Sequence, residues 1–215
     1  MPGPEIFLSI ACDTDPDADL PFRRPPDQLD TLWTGVTEGV RALRNALAAS
    51  RFVADHGQPP VTWLLRSDRQ IAEVYGDACF CYRRWQSLWD EECGSGSEIG
   101  WHPHLFRWNE PQDRWRPYLG EDDDLPFLRT CLDELRTCVP IQAVRTGWIY
   151  HSNGLMKFLS DNGILLDASA TPGSLQFGEW HHDWRFTPRT PYHPAVRDYR
   201  RPAAAGEPAL DILEL

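Results

Sequence analysis

Short apolar runs recur along this chain, separated by longer stretches with helical spacing, and that alternation limits its fold more than any other feature. Strands alternating with helices read as parallel strands joined by crossovers, so an α/β arrangement is expected. Residues 5–12 read as a first strand. The segment 29–55 carries Leu32, Val36, Val40, Leu43 and Leu47 at helical spacing and is stopped by Gly57. Residues 61–65 and 97–105 are the next strands. A helix over 125–138, closed by Pro140, leads to a strand at 141–144. A further helix over Asn153–Asp161 is capped by Asn162-Gly163 and followed by a strand at 164–166. The proline-rich segment 171–208 reads as mostly irregular, and 209–215 as a last strand. A barrel built this way lacks the final crossover and strand that would seal its edge.

A length of 215 residues and 24.7 kDa suits one domain spanning 1–215. Hydrophobic residues at 41% and charged residues at 25% are enough to build a core. The net charge of -11 repels a phosphate backbone, so nucleic acid is not an expected partner; the basic residues are scattered except between Arg185 and Arg201. No apolar run approaches the roughly 20 residues of a membrane helix, and the opening lacks a basic leader, so no membrane partner and a cytoplasmic location are expected. The six cysteines form no CxxC pair and read as reduced thiols. Cys79, Cys81 and Cys93 match no common structural zinc spacing.

Parallel sheets place their chemistry at the carboxyl ends of the strands, where the loops converge. The first strand leads into Asp13-Thr14-Asp15, whose carboxylates, two residues apart on extended backbone, point to one side. Two carboxylates that close call for a cation or a shifted pKa. The third strand ends in Trp101-His102-Pro103-His104, and the same period aims both imidazoles at one point. Together these tips describe a divalent-metal site of Asp15, His102 and His104. The fourth strand ends in Arg145-Thr146-Gly147-Trp148. There an arginine can hold an aspartate ionised, and a tryptophan offers a flat wall to a sugar ring. Trp85, Trp89, Trp101, Trp108 and Trp115 cluster near the second motif, as either sugar-stacking surface or core. The acidic run 121–124 reads as a solvated helix start with no chemistry.

Taken in order, FLSIACDTD, SEIGWHPH, RTGW and LLDASATPG resemble the four leading motifs of the polysaccharide deacetylase family with NodB homology, carbohydrate esterase family 4. The later stretch DWRFTPRTPYHPAVRDYRRP is similar to its WalW-like subgroup. The resemblance implies a deformed (β/α) barrel, here incomplete at its C-terminal end, that removes an N- or O-acyl group from a carbohydrate with one metal ion, zinc being the first choice. By the same resemblance Asp13 is the general base and Arg145 its partner. Asp15, His102 and His104 are the ligands, and Trp148, Asp167 and His151 line or tune the substrate pocket.

Two departures stand out. The family spaces its second-motif histidines four apart, whereas here they are two apart with Phe106 at the expected position, and the late leucine-histidine motif that supplies the acid is absent. His151, His181, His182 and His193 are the stand-in acids. The expected partner is a small-molecule or oligosaccharide substrate, and nothing in the pattern sets an oligomeric state. A silent metal- or carbohydrate-binding homologue, or a hydrolase of a non-sugar amide, are the alternatives.

Overall fold

In the computed structural model, residues 9–17, 20, 32–118, 121–178 and 181–215 are described. Strand β1 (Ala11–Thr14) is followed by a wide π-type turn at Gly35–Gly39 that runs into α1 (Val40–Ala48) and α2 (Arg51–His56). Val36 and Val40 are buried, and Leu32, Leu43 and Leu47 pack on the same core, so the helical spacing found in the sequence does define the inward face. The single helix expected over 29–55 is nevertheless broken. Ser50 leaves helical geometry and its hydroxyl accepts from Val53 N at 3.3 Å, capping a second helix, while Gly57 at φ 81° ends it. Residues 29–31 of that expected helix and 5–8 of the expected first strand lie outside the described residues.

Strand β2 (Thr62–Arg66) leads through α3 (Arg69–Tyr75), α4 (Phe80–Arg84) and α5 (Gln86–Gly94) to β3 (Glu98–His102). Sequence spacing assigned none of these three helices. Asp68 starts α3 by accepting from Ile71 N at 3.1 Å, and the left-handed Gly76 stops it. Strand β4 (Phe106–Asn109) and strand β5 (Arg114–Pro117) form an antiparallel hairpin beyond the strand expected over 97–105, which ends at His102 because Pro103 has no N–H to continue the ladder. Then come α6 (Glu121–Cys138), β6 (Ala143–Val144), α7 (Asn153–Asp161) and β7 (Leu166–Asp167). Ser152 caps α7 with a 2.9 Å bond from Leu155 N. The segment read as irregular holds two small antiparallel pairs, β8 (Leu175–Gln176) with β9 (His182–Asp183) and β10 (Pro194–Ala195) with β11 (Asp198–Pro202), before β12 (Leu213–Glu214).

The main sheet has six strands in the order β1-β2-β3-β6-β7-β12, and all neighbours run parallel. The order is linear, with β1 at one edge and β12 at the other. Helices on such a sheet require apolar strands: Trp63, Leu64 and Leu65 are buried in succession on β2, as are Ile99, Gly100 and Trp101 on β3. Gly100 is held to glycine because a Cβ there would press on Leu64 and the Ala143 carbonyl.

The tryptophan cluster is mostly core. Trp89 and Trp101 are fully buried, Trp115 nearly so, and Trp85 packs on Trp33 at 5.4 Å. The acidic run also differs from expectation at its last member. Asp124 is buried and takes Arg107 Nε at 2.7 Å and Arg69 at 3.3 Å, tying α6 to α3 and the hairpin. Three of the late arginines pair within their own segment, Arg185 and Arg200 with Asp183 and Arg201 with Glu207. Among the described residues no helix is long and apolar enough to cross a membrane.

Candidate metal centre

Parallel register sets which side chains share a face. Asp13 lies level with Leu64, and Arg66 with His102, while Trp101 lies level with Val144. Asp13, Arg66, His102 and Arg145 therefore project from one face at the carboxyl tips of β1, β2, β3 and β6. Thr14 turns the other way and donates to the Leu64 carbonyl at 3.1 Å, which fixes the phase of the Asp13-Thr14-Asp15 tip.

Asp15, His102 and His104 meet at the centre of this face, with donor atoms all within 4.8 Å of one another. His102 Nε2 lies 3.2 Å from Asp15 Oδ2 and 3.0 Å from His104 Nε2, and His104 Nε2 lies 3.5 Å from Asp15 Oδ1. Ligands about 2.0–2.2 Å from a tetrahedral ion stand roughly 3.3 Å apart. With each Asp15 oxygen facing one histidine, separations of 3.0 to 3.5 Å are compatible with a divalent cation held among the three. His102 Nδ1 donates to the Arg145 carbonyl at 2.7 Å, which leaves Nε2 as the lone-pair nitrogen facing the cluster. Burial and the Arg66 charge push the His104 pKa well down, so His104 stays neutral. Burial would raise the Asp15 pKa, but the His102 hydrogen bond and the Arg66 charge oppose it, and the carboxyl is held far below its usual range.

The two-residue spacing of the histidines works because the chain after β3 is held from outside the strand. His104 N donates to Asp68 Oδ2 at 2.9 Å, and the His104 ring lies against Phe106, centroids 5.4 Å apart and 21° from parallel. Phe106, at the position where the family resemblance leads one to expect a histidine, thus backs the histidine two residues earlier. Gly147 closes the other side. A Cβ on Gly147 would collide with the His104 ring, and Gly147 N bonds the Pro103 carbonyl at 2.8 Å. Gly147→Ala is expected to cost about 1–3 kcal/mol in stability and to weaken metal binding roughly ten- to a hundredfold by displacing a ligand. Competition for zinc with a chromogenic chelator reads the second effect, and parent-like affinity would show that His104 is not held there.

Arg66 and Asp68 were not singled out from sequence. Arg66 is buried and forks to Asp15 Oδ1 at 2.6 Å, to Asp68 through Nε, and to Gln70 at 2.8 Å. Asp68 is fully buried. An arginine closing the apolar run TWLLR at a strand tip is a signal that could have found the pair.

Asp13 sits at the rim, a third exposed, with Arg145 Nη1 at 3.1 Å and His102 Nδ1 at 3.8 Å. Arg145 is oriented in turn by the Ala168 carbonyl at 2.9 Å. Trp148 is 48% exposed, edge-on to His104 at 6.1 Å. Trp148 and Ile149 have φ of 57° and 52°, a backbone state that costs about 1–3 kcal/mol at each such residue. The turn is held by Thr146 Oγ1 on the Tyr150 carbonyl at 2.7 Å and Trp184 Nε1 on the Ile149 carbonyl at 2.9 Å.

Asp167 and His151 stand elsewhere. Asp167 is level with Val144, one residue out of phase with Arg145, and so points to the opposite face, where it pairs with His151 at 2.5 Å. His182 is bonded to Ser174 at 2.7 Å, His193 to the Ile212 carbonyl at 2.9 Å, and His181 lies beside Phe177. Among the described residues none of the four candidate acids hydrogen-bonds to Asp13, Asp15, His102 or His104.

No family model and no curated protein matches the chain. A solved structure from Parabacteroides distasonis, provisionally described as a glycoside hydrolase/deacetylase, has TM-score 0.53 and 17% identity over 96% of this chain and 43% of that one. Another, from Mycobacterium smegmatis, provisionally described as a polysaccharide deacetylase, has TM-score 0.46 and 15% identity over 96% and 57%. The first likeness is one of fold, and the chain spans less than half the length of that protein.

Proposed function

We propose that the chain is a metal-dependent hydrolase of the polysaccharide deacetylase type, of the WalW-like subgroup, that removes an N- or O-acyl group, in the simplest case acetyl, from a carbohydrate or related amide. The observation that carries this reading is the Asp15-His102-His104 cluster beside the Asp13-Arg145 ion pair on one set of strand tips. The shared fold is consistent with it. Two imidazoles and one carboxylate favour zinc among the available ions.

A cation held there would polarise an acyl carbonyl and lower the pKa of water from about 15.7 toward about 7. The remaining work falls to the chain. Arg145 orients the Asp13 carboxylate, and Asp13, open to solvent on one side, takes a proton from the attacking water. Arg66 fixes Asp15 through Oδ1 so that Oδ2 stays turned to His102. Trp148 offers a half-exposed ring beside the cluster for a sugar face, and Trp148→Ala is expected to raise KM roughly three- to tenfold with a smaller change in kcat. A kcat loss with unchanged KM would place the ring outside substrate binding.

Turnover of a panel of acetylated amino sugars by the purified chain, before and after chelation and with zinc restored, tests the proposal. Activity lost on chelation and recovered with zinc is the expected result. A second reading, a silent homologue that binds metal or carbohydrate, is favoured by the separation of every candidate acid histidine from the cluster. Binding of zinc with no turnover on any acylated substrate would favour it over the hydrolase.

A further inference from the structure

On the opposite face of the same sheet, strands β7 and β12 place two carboxylates side by side. Asp167 and Glu214 are register partners on neighbouring parallel strands, and neither is exposed at all. Like charges directly opposite on a sheet repel, and burial removes the water that would screen them. No arginine or lysine among the described residues pairs with either. His151, with a wholly buried side chain, completes the group, and the three donor sets lie within 4.8 Å of one another.

The hydrogen bonds leave one oxygen of each carboxylate turned inward. Asp167 Oδ1 accepts from Ser169 N at 3.0 Å and from the Ser169 hydroxyl, while Asp167 Oδ2 faces His151 Nε2. Glu214 Oε1 accepts from Ala170 N at 2.9 Å, and Glu214 Oε2, fully buried, has no partner. Each carboxylate is thus clamped by one oxygen and turns the other into the group, Asp167 Oδ2 to His151 and Glu214 Oε2 to no partner, the arrangement of a monodentate ligand with its outer contacts in place. The imidazole is fixed by Trp184 and Tyr199, ring centroids 5.4 and 5.5 Å away.

We propose that His151, Asp167 and Glu214 form a second divalent-cation site, separate from the strand-tip cluster. Two carboxylates balance the charge of a dication, and one nitrogen with two oxygens suits manganese(II) or zinc. His151 also lines a groove of about 480 Å³ with Ser152, Asp183 and Arg200. Because β12 carries one ligand, β7 another and the loop after β6 the third, the ion would pin the last strand to the sheet.

The test is a count of bound ions per chain after metal-stripped protein is dialysed against manganese(II) or zinc. The parent is expected to hold two ions, and His102→Ala and Glu214→Gln one each. Manganese(II) should raise the melting temperature of His102→Ala and add nothing to that of the double variant His102→Ala/Glu214→Gln, which lacks a ligand of each site. A parent with one ion that His102→Ala removes overturns the second site and leaves the strand-tip centre standing. A parent with one ion that Glu214→Gln removes and His102→Ala keeps supports the second site and overturns the first. Should Glu214→Gln fail to fold, His102→Ala decides alone, one retained ion supporting the proposal and none overturning it.

Discussion

Asp13→Asn is expected to lower kcat by about two to four orders of magnitude while zinc content stays at the parent level, since a positioned general base contributes that much. The asparagine keeps the shape of the side chain and loses the capacity to take a proton. Asp13 is not among the three residues that could hold the ion, and Arg145 keeps its bond to the Ala168 carbonyl when the carboxylate is gone. Folding should therefore be little affected. Parallel assays of turnover and zinc content separate this from a lost metal site. Parent-like kcat would remove Asp13 from the chemistry, and loss of zinc together with activity would make it part of the metal site.

Arg66→Met should lower the free energy of unfolding by about 3–5 kcal/mol, the cost of breaking a buried ion pair from one side. Asp68 is left fully buried with only the Ile71 and His104 backbone donors, and Asp15 loses the contact that fixes its orientation. Arg66→Lys should recover little of this, because an ammonium cannot replace a planar fork that reaches Asp15, Asp68 and Gln70 at once. Asp68→Asn in the Arg66→Met background should restore part of the loss by removing the orphaned charge. Urea unfolding of the three variants measures each step. A change under about 1 kcal/mol for Arg66→Met would make the pair an ordinary surface bridge.

Both predictions turn on the distinction between residues legible in the sequence and residues found only in space. Asp13, Asp15, His102 and His104 stand two apart at strand tips, which is a local pattern, but Asp15 and His104 lie beyond the ends of β1 and β3, and His104 keeps its place through Asp68, Phe106 and Gly147. Arg145 followed from the same logic one strand further on. Asp68 could not be read this way, since its value lies in accepting the His104 N–H from a different strand-to-helix turn. Gly147 was quoted only as part of a motif, and its packing on the His104 ring depends on the meeting of two loops.

The fold divides along similar lines. The bounds of helix α7 were legible, with Asn162-Gly163 marking its C-terminal end, while its Ser152 cap emerged only in the structure. Helices α3 to α5 were not, since none exceeds nine residues and so short a stretch displays little periodicity. The break at Ser50 also escaped, because the apolar series stops at Leu47 and offers no spacing signal across residues 50–56. Asp167 illustrates a different limit. With strands of two residues each, β6 and β7 carry too little sequence to fix their register, and a slip of one residue moves a side chain to the other face.

The central claim is that Asp15, His102 and His104 gather around one cation. Crystals grown with zinc and measured at the zinc absorption edge address it directly. An anomalous peak about 2.0–2.2 Å from His102 Nε2, His104 Nε2 and an Asp15 oxygen is the predicted result. Density showing the two imidazoles and the carboxylate bonded only to one another and to Arg66, with no peak among them at saturating zinc, would contradict it.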